Sequence, residues 1–352
     1  MQRQNPVIIG ALALSAVAAL ASPVSAWTAA SAFNQPGNIL ISDQFNNRVI
    51  EVDRKGKLVW SFGLGPNDFS AKSVLGVNDA ERVGRDTLMA ATGIPPGVDP
   101  NCNNGCPDSR VVLVDPQGHI VWQYGQFGVT GSGPNELNAP VQATYTQQNT
   151  VYITDQSNQR VIEVDRKKNI LWQYGKTGVS GSGRDELNNP NSAELLDNGD
   201  ILIADEGNNR VIEVDKRSKK IMASYTAQGT LNAPAFASRL PDGHVLIADG
   251  GNNRIITVDS GDNVGFQYFT NQQQGSNPNP APSRAVKTMA GRIVVSDQFN
   301  NRVIVIDMKQ KIRAQYGNLN VIGYGTMNTQ QGLYAPYDAK VIGDYTGLTP
   351  PR

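Results

Sequence analysis

One six-residue pattern returns six times in this 352-residue chain. Periodic self-similarity of this kind constrains an architecture more tightly than local propensity does. Arg48-Val-Ile-Glu-Val-Asp53 recurs at 160–165 and 210–215, with looser copies at 110–115, 254–259 and 302–307. A β-type run ending in Asp precedes five copies, with termini at Asp43, Asp155, Asp205, Asp249 and Asp297. In the second unit the run Leu88 to Thr92 takes this place, and Thr92 replaces the Asp. An aromatic run follows, as at Trp60 to Gly63, Trp122 to Gly125 and Trp172 to Gly175. Upstream lies a shorter run with Ala at a fixed position: Ala80, Ala143, Ala193, Ala237, Ala285 and Ala339.

Alternating Val and Ile with Gly, Asn and Asp at the joins reads as strands linked by tight hairpins. The 35 Gly and 20 Pro supply the many turns such a chain needs. Four strands per unit and six units predict an all-β fold, a six-bladed β-propeller with only short, protected edges. The fixed Ala has a steric reason, because six innermost strands converge on one axis. The first unit lacks its Ala-bearing strand and a spare copy, Ala335 to Ile342, lies near the C-terminus. The C-terminal strand is therefore expected to pair into the first blade and close the ring.

The run Ile201 to Asp205 followed by Asn208-Asn209-Arg210 resembles the NHL repeat. So do the linkers Gly131 to Pro140 and Gly181 to Pro190. The resemblance covers nearly the whole chain and implies the propeller fold. NHL propellers serve as protein-binding, RNA-binding and catalytic scaffolds, so it does not select a function. One NHL-like family, the amidating lyases, holds zinc through several His. This chain has two, His119 and His244, both at expected turns, so that activity is not carried over. RNA binding conflicts with 31 Lys and Arg against 31 Asp and Glu, which leaves no basic excess for nucleic acid.

The first 26 residues read as a secretory signal peptide: Arg3, an apolar run from Val7 to Ala21, and small residues at Val24 and Ala26. The run is too short for a comfortable membrane span. Residues 27–352 are then a single propeller domain, secreted or periplasmic and monomeric. Cys102 and Cys106, the only two cysteines, are expected to form a local disulfide in an oxidising compartment.

The repeated Asp-x-x-Asn-Asn-Arg hairpins, present in five of six units, read as structural bidentate pairs, since one active site does not need five copies. Divergence is expected where an asymmetric site would sit. Aligned on the fixed Ala, the two preceding positions differ from unit to unit. Asn78, Asp79, Gln142, Asn191, Ser192, Arg284 and Asp338 fall there, at the expected channel mouth, with Glu81, Glu194 and Lys340 one step deeper. This ring could hold a protein, a glycan or a small polar ligand. The cofactor is unknown; Asp79, Glu81 and Glu194 are the candidate Ca²⁺ ligands. The leading expectation is an exported binding or scaffold module without catalytic residues. The alternative is a Ca²⁺-dependent hydrolase or lyase working at the same mouth. Cation clusters at Arg54 to Lys57, Arg166 to Lys168, Lys216 to Lys220 and Lys309 to Arg313 read as solvated turns or as contacts to an anionic envelope surface.

Overall fold

The computed structural model describes residues 32–325 and 332–351. The expected signal peptide lies outside the described residues. Within them the chain forms six four-stranded antiparallel sheets, the blades of one propeller. The innermost strands are Val77–Val83, Pro140–Tyr145, Ser192–Leu195, Pro234–Arg239, Arg284–Lys287 and Pro336–Val341. Each contacts the next around a closed ring. The last of them runs antiparallel to Ile39–Asp43, with Ala339 opposite Ile41, and completes the first blade. No helix among the described residues is long and apolar enough to cross a membrane.

The apolar core lies between blades rather than within them. Six buried clusters occupy the six blade interfaces. Leu40, Val49, Trp60 and Phe62 pack on Val77, Met89 and Val112 between the first and second blades. Ile39, Ile41 and Ile50 pack on Val294, Val303 and Tyr316 between the sixth and first. Three blades reinforce this with a tryptophan that donates from Nε1 to a carbonyl in the next blade: Trp60 to Pro116, Trp122 to Arg166 and Trp172 to Lys216. No blade has a core of its own, so ring closure and core completion are one event.

The repeated hairpins latch each blade to the linker that enters it. The repeat Asp accepts from the Arg Nε in all five blades, at 2.6–2.8 Å, for example Arg210 to Asp205. The first Asn also donates to that Asp and reaches a linker carbonyl, as Asn208 does to Asp205 and Gly181. The second Asn sits in left-handed backbone, as at Asn209 with φ 52°. Its side chain accepts the next linker's N–H, as Asn209 does from Ala233. In four of the blades the other carboxylate oxygen accepts a linker N–H, as Asp205 does from Asn188, which explains why these Asp–Arg contacts run through Nε rather than as the expected two-point forks. In the second blade, where Thr92 replaces the Asp, Asp108 moves in from the neighbouring strand and pairs with Arg110 through both oxygens.

Deleting Tyr334 to Arg352 removes the closing strand and exposes the interfaces on both sides of the first blade. The truncated protein is expected to show no cooperative unfolding transition by calorimetry. A melting temperature within a few degrees of the full chain would overturn the closure model.

Candidate functional site

The residues singled out at the axis are brought together, but as packed interior. Asn78, Asp79, Gln142, Asn191, Ser192, Arg284 and Asp338 are all buried. Their first task is structural. The inner strand of each blade turns an unpaired backbone edge toward the axis, and those N–H groups need acceptors. The residue just before the fixed Ala supplies one to the next blade's Ala: Asp338 to Ala80, Asp79 to Ala143, Gln142 to Ala193 and Ser192 to Ala237. Phe236 and Arg284 break this relay, since neither side chain can accept.

At the break an ion-pair cluster spans the axis. Arg284 donates from Nη2 to Asp79 at 2.8 Å, places Nε 3.0 Å from Asp338, and lies over the Phe236 ring at 4.2 Å. Lys340 donates to Asp79 at 2.6 Å, to Asp338 at 2.8 Å and to the Ala80 carbonyl. Burial pushes the Asp79 carboxyl up, and Lys340 and Arg284 pull it back only in part. The same burial acts on Asp338, but there the two cations outweigh it and hold the group below the usual carboxylate value. Glu81 lies deeper, accepting from the Tyr145 N–H, and burial pushes it well above its ordinary value. Glu194 is pushed up by burial as well.

Both ends of the channel are occupied. On the linker face Tyr337 crosses to Asn191, Asn191 binds Glu206, and a chain of amides runs from Gln298 to Gln44 to Asn78. On the opposite face the C-terminal tail folds in. Thr349 donates from its N–H and Oγ1 to Glu194 at 2.8 and 2.7 Å, and its Oγ1 accepts from the Leu195 N–H. Leu348 packs on the cluster containing Phe236 and Leu240. The side chains at the axis thus bond chiefly to one another, while Arg284 Nη1 is buried without a hydrogen-bond partner.

The candidate Ca²⁺ ligands are engaged within the protein in the same way. Of the three, Asp79 already faces two cations and Glu194 is taken by Thr349 and Gln142. Glu81 accepts from the Tyr145 N–H. Among the described residues no group of three or more His, Cys, Asp or Glu is placed to hold a metal ion.

An open concavity lies elsewhere on the linker face. A groove of about 480 Å³ runs over the seam between the sixth and first blades. Phe45, Phe299, Ile322 and Tyr334 form its apolar walls, and Asn279, Asn301 and Asn320 its polar ones. Gly97 and Val98 close one side. They belong to the second-blade insertion that the Cys102–Cys106 disulfide pins, with Cα atoms 5.6 Å apart. None of these residues was singled out from sequence. The signal was nevertheless present. The residue between the repeat Asp-x and Asn is Phe45 or Phe299 in the first and sixth blades, but Ser157, Gly207 or Gly251 in three others.

The opposite face carries the basic turns, many of them already paired: Lys216 with Glu163, Lys219 with Asp185 and Arg313 with Asp307. His119 and His244 also lie there, exposed, beside Asp115 and Asp242. A second groove of about 660 Å³ follows the tail on this face, and its Arg239 is bound to Glu213.

Fold and site together define a six-bladed propeller with a sealed axis. The family model described as outer membrane protein assembly factor BamB matches residues 22–225, and the chain belongs to that family. The matching family is thus BamB-like rather than specifically NHL. No curated protein matches the chain. Among solved structures it is similar to a streptogramin B lyase, with 14% identity over 80% of this chain and 79% of the other and a TM-score of 0.52. A protein of unknown function from Bacteroides caccae aligns at 12% identity, over 80% and 93% of the chains, with a TM-score of 0.56. A catalytically inactive histidine-to-alanine variant of the Staphylococcus aureus virginiamycin B lyase, solved with quinupristin, aligns at 12% over 80% and 84%, with a TM-score of 0.50. At these identities the likeness concerns the fold alone.

Because the folded state raises the Glu81 pKa, it binds a proton that the unfolded chain has released above about pH 4.5. The stabilising effect of that proton is full at low pH and is lost as pH rises through the folded value. Glu81→Gln keeps an acceptor for the Tyr145 N–H and removes the charge. It is expected to melt within about 1 °C of wild type at pH 4 and several degrees higher at pH 8, at about 2 °C per kcal/mol for a chain of this size. Equal shifts at both pH values, or a lower melting temperature at pH 8, would contradict the assignment.

Proposed function

We propose that this protein is an exported binding or scaffold propeller, periplasmic or extracellular, that takes its partner on the linker face. The observation that carries the reading is the sealed axis. A buried ion-pair cluster fills it and the tail closes one end, so a reacting substrate has no room where propeller enzymes of the expected type would work. What stays concave and chemically unsatisfied on the linker face is the aromatic and amide groove. The NHL-type character of the hairpins and linkers fits a scaffold whose repeats hold shape while one sector carries the contact surface.

The family description, an outer membrane protein assembly factor, supports an envelope location and a binding role. The disulfide supports an oxidising compartment. A lyase reading has less support. The virginiamycin B lyase variant described as inactive lost a histidine, whereas the two histidines here are exposed turn residues on the face opposite the groove.

A photoreactive amino acid placed at position 299, in the groove, and at position 167, in a basic turn, tests the reading in cells that export the protein. Adducts of defined mass are expected from position 299 and not from 167. Adducts from 167 alone would mean that the basic face is the contact surface.

A further inference from the structure

The groove's chemistry points to a narrower class of ligand. We propose that it is a binding site for an uncharged oligosaccharide, an inference that rests on the linker-face reading above and specifies its ligand.

Charge is the first argument. Among the lining residues the only ionisable group is the Tyr334 phenol, which burial pushes up and keeps neutral. A phosphate or carboxylate seated there would lose hydration with no counter-charge to replace it, and the carboxylate near enough to act on Tyr334, Asp99, is not among the lining residues.

The aromatic surface is the second. Phe45 packs edge-on against Tyr334 with centroids 5.2 Å apart, and Tyr334 packs edge-on against Tyr324 at 5.6 Å. Phe299 is 40% exposed and Tyr324 65%. A fixed set of rings with open faces offers apolar area at small entropic cost. The C–H face of a pyranose ring matches such a surface.

Hydrogen bonding is the third. The side-chain amides of Asn279 and Asn320 are exposed and have no partner among the described residues. Asn301 is 5% exposed, uses its Oδ1 to accept from the Ala335 N–H, and leaves its Nδ2 without a partner. An amide presents a donor pair beside an acceptor, which suits hydroxyls that both donate and accept. A protein segment fits less well. The walls here are turns and the short 3₁₀ segments Gln44–Asn46 and Gln298–Asn300, with no strand edge to extend. The volume, about 480 Å³, is within the usual range for small-ligand sites.

The test is calorimetric titration of the purified, disulfide-intact protein with four neutral probes: cellotetraose, chitotetraose, maltotetraose and mannotetraose. At least one is expected to bind, and Phe299→Ala to weaken it about tenfold or more. Asn320→Ala is expected to weaken it several-fold, and Glu81→Gln to leave it unchanged. Phe299 and Asn320 are exposed, so unchanged melting temperatures should accompany both losses. No binding by any probe, or binding that survives both groove variants, overturns the proposal. If position 299 then yields protein adducts in cells, the linker-face reading stands and only the sugar chemistry fails. If position 299 yields nothing and no probe binds, both fall.

Discussion

Six inner strands converge on one axis, and each presents a backbone edge that no further strand can pair. Everything at the centre of this molecule follows from that constraint. Unpaired N–H groups buried away from water each cost on the order of a lost hydrogen bond, so acceptors must come from side chains. Asp338, Asp79, Gln142 and Ser192 supply them in sequence around the ring. Two of those acceptors are carboxylates, and their presence inside the ring brings the next requirement. Buried carboxylates need cations, and Arg284 and Lys340 meet it from the sixth and first blades. Glu81 and Glu194 would leave the cluster negative if both were ionised. Burial pushes both pKa values up and reduces that excess without a further cation. The charged axis is thus a consequence of closing the ring.

The repeat made the architecture readable. Strand count, blade number, the closing role of Pro336–Val341 and the pairing of Asp205 with Arg210 follow from periodicity and from residue types that recur at fixed spacing. Even the local disulfide follows from two cysteines four positions apart in a chain expected to meet an oxidising compartment. The second blade was harder to read, because a one-strand view sees Thr92 replace an Asp. It does not see that Asp108, two residues before Arg110 on the Arg's own strand, can take the missing Asp's place.

The site was less readable for a definite reason. Divergence at the axis was visible, and Asn78, Asp79 and Arg284 do cluster there. Periodicity cannot say whether a varied ring of polar residues faces solvent or its own members. Residues from opposite blades, such as Tyr337 and Asn191, lie 146 positions apart, and no local pattern reports their contact. The groove was hidden by the same distance. Its walls come from the hairpins of the first and sixth blades, the second blade's insertion and the linkers on either side of the sixth, and only ring closure makes these neighbours.

That origin gives the groove a mechanical consequence. It lies beside the first blade, where the first and last strands pair. The Tyr334 N–H donates to Asp43, the Phe45 N–H donates to the Tyr334 carbonyl, and Asn46 reaches the carbonyls of Gly323 and Gly332. These bonds hold the closing linker to the first blade, and the same segments carry Phe45, Ile322 and Tyr334 into the groove. A ligand that touches both sides therefore binds only the closed ring. Its binding free energy adds directly to the stability of closure, by RT ln(1 + [L]/Kd). The pairing of Pro336–Val341 with Ile39–Asp43 inside the first blade is the one strand junction of that blade made between distant parts of the chain, and the groove is lined by the segments that flank it, Phe45 just after the one strand and Tyr334 just before the other.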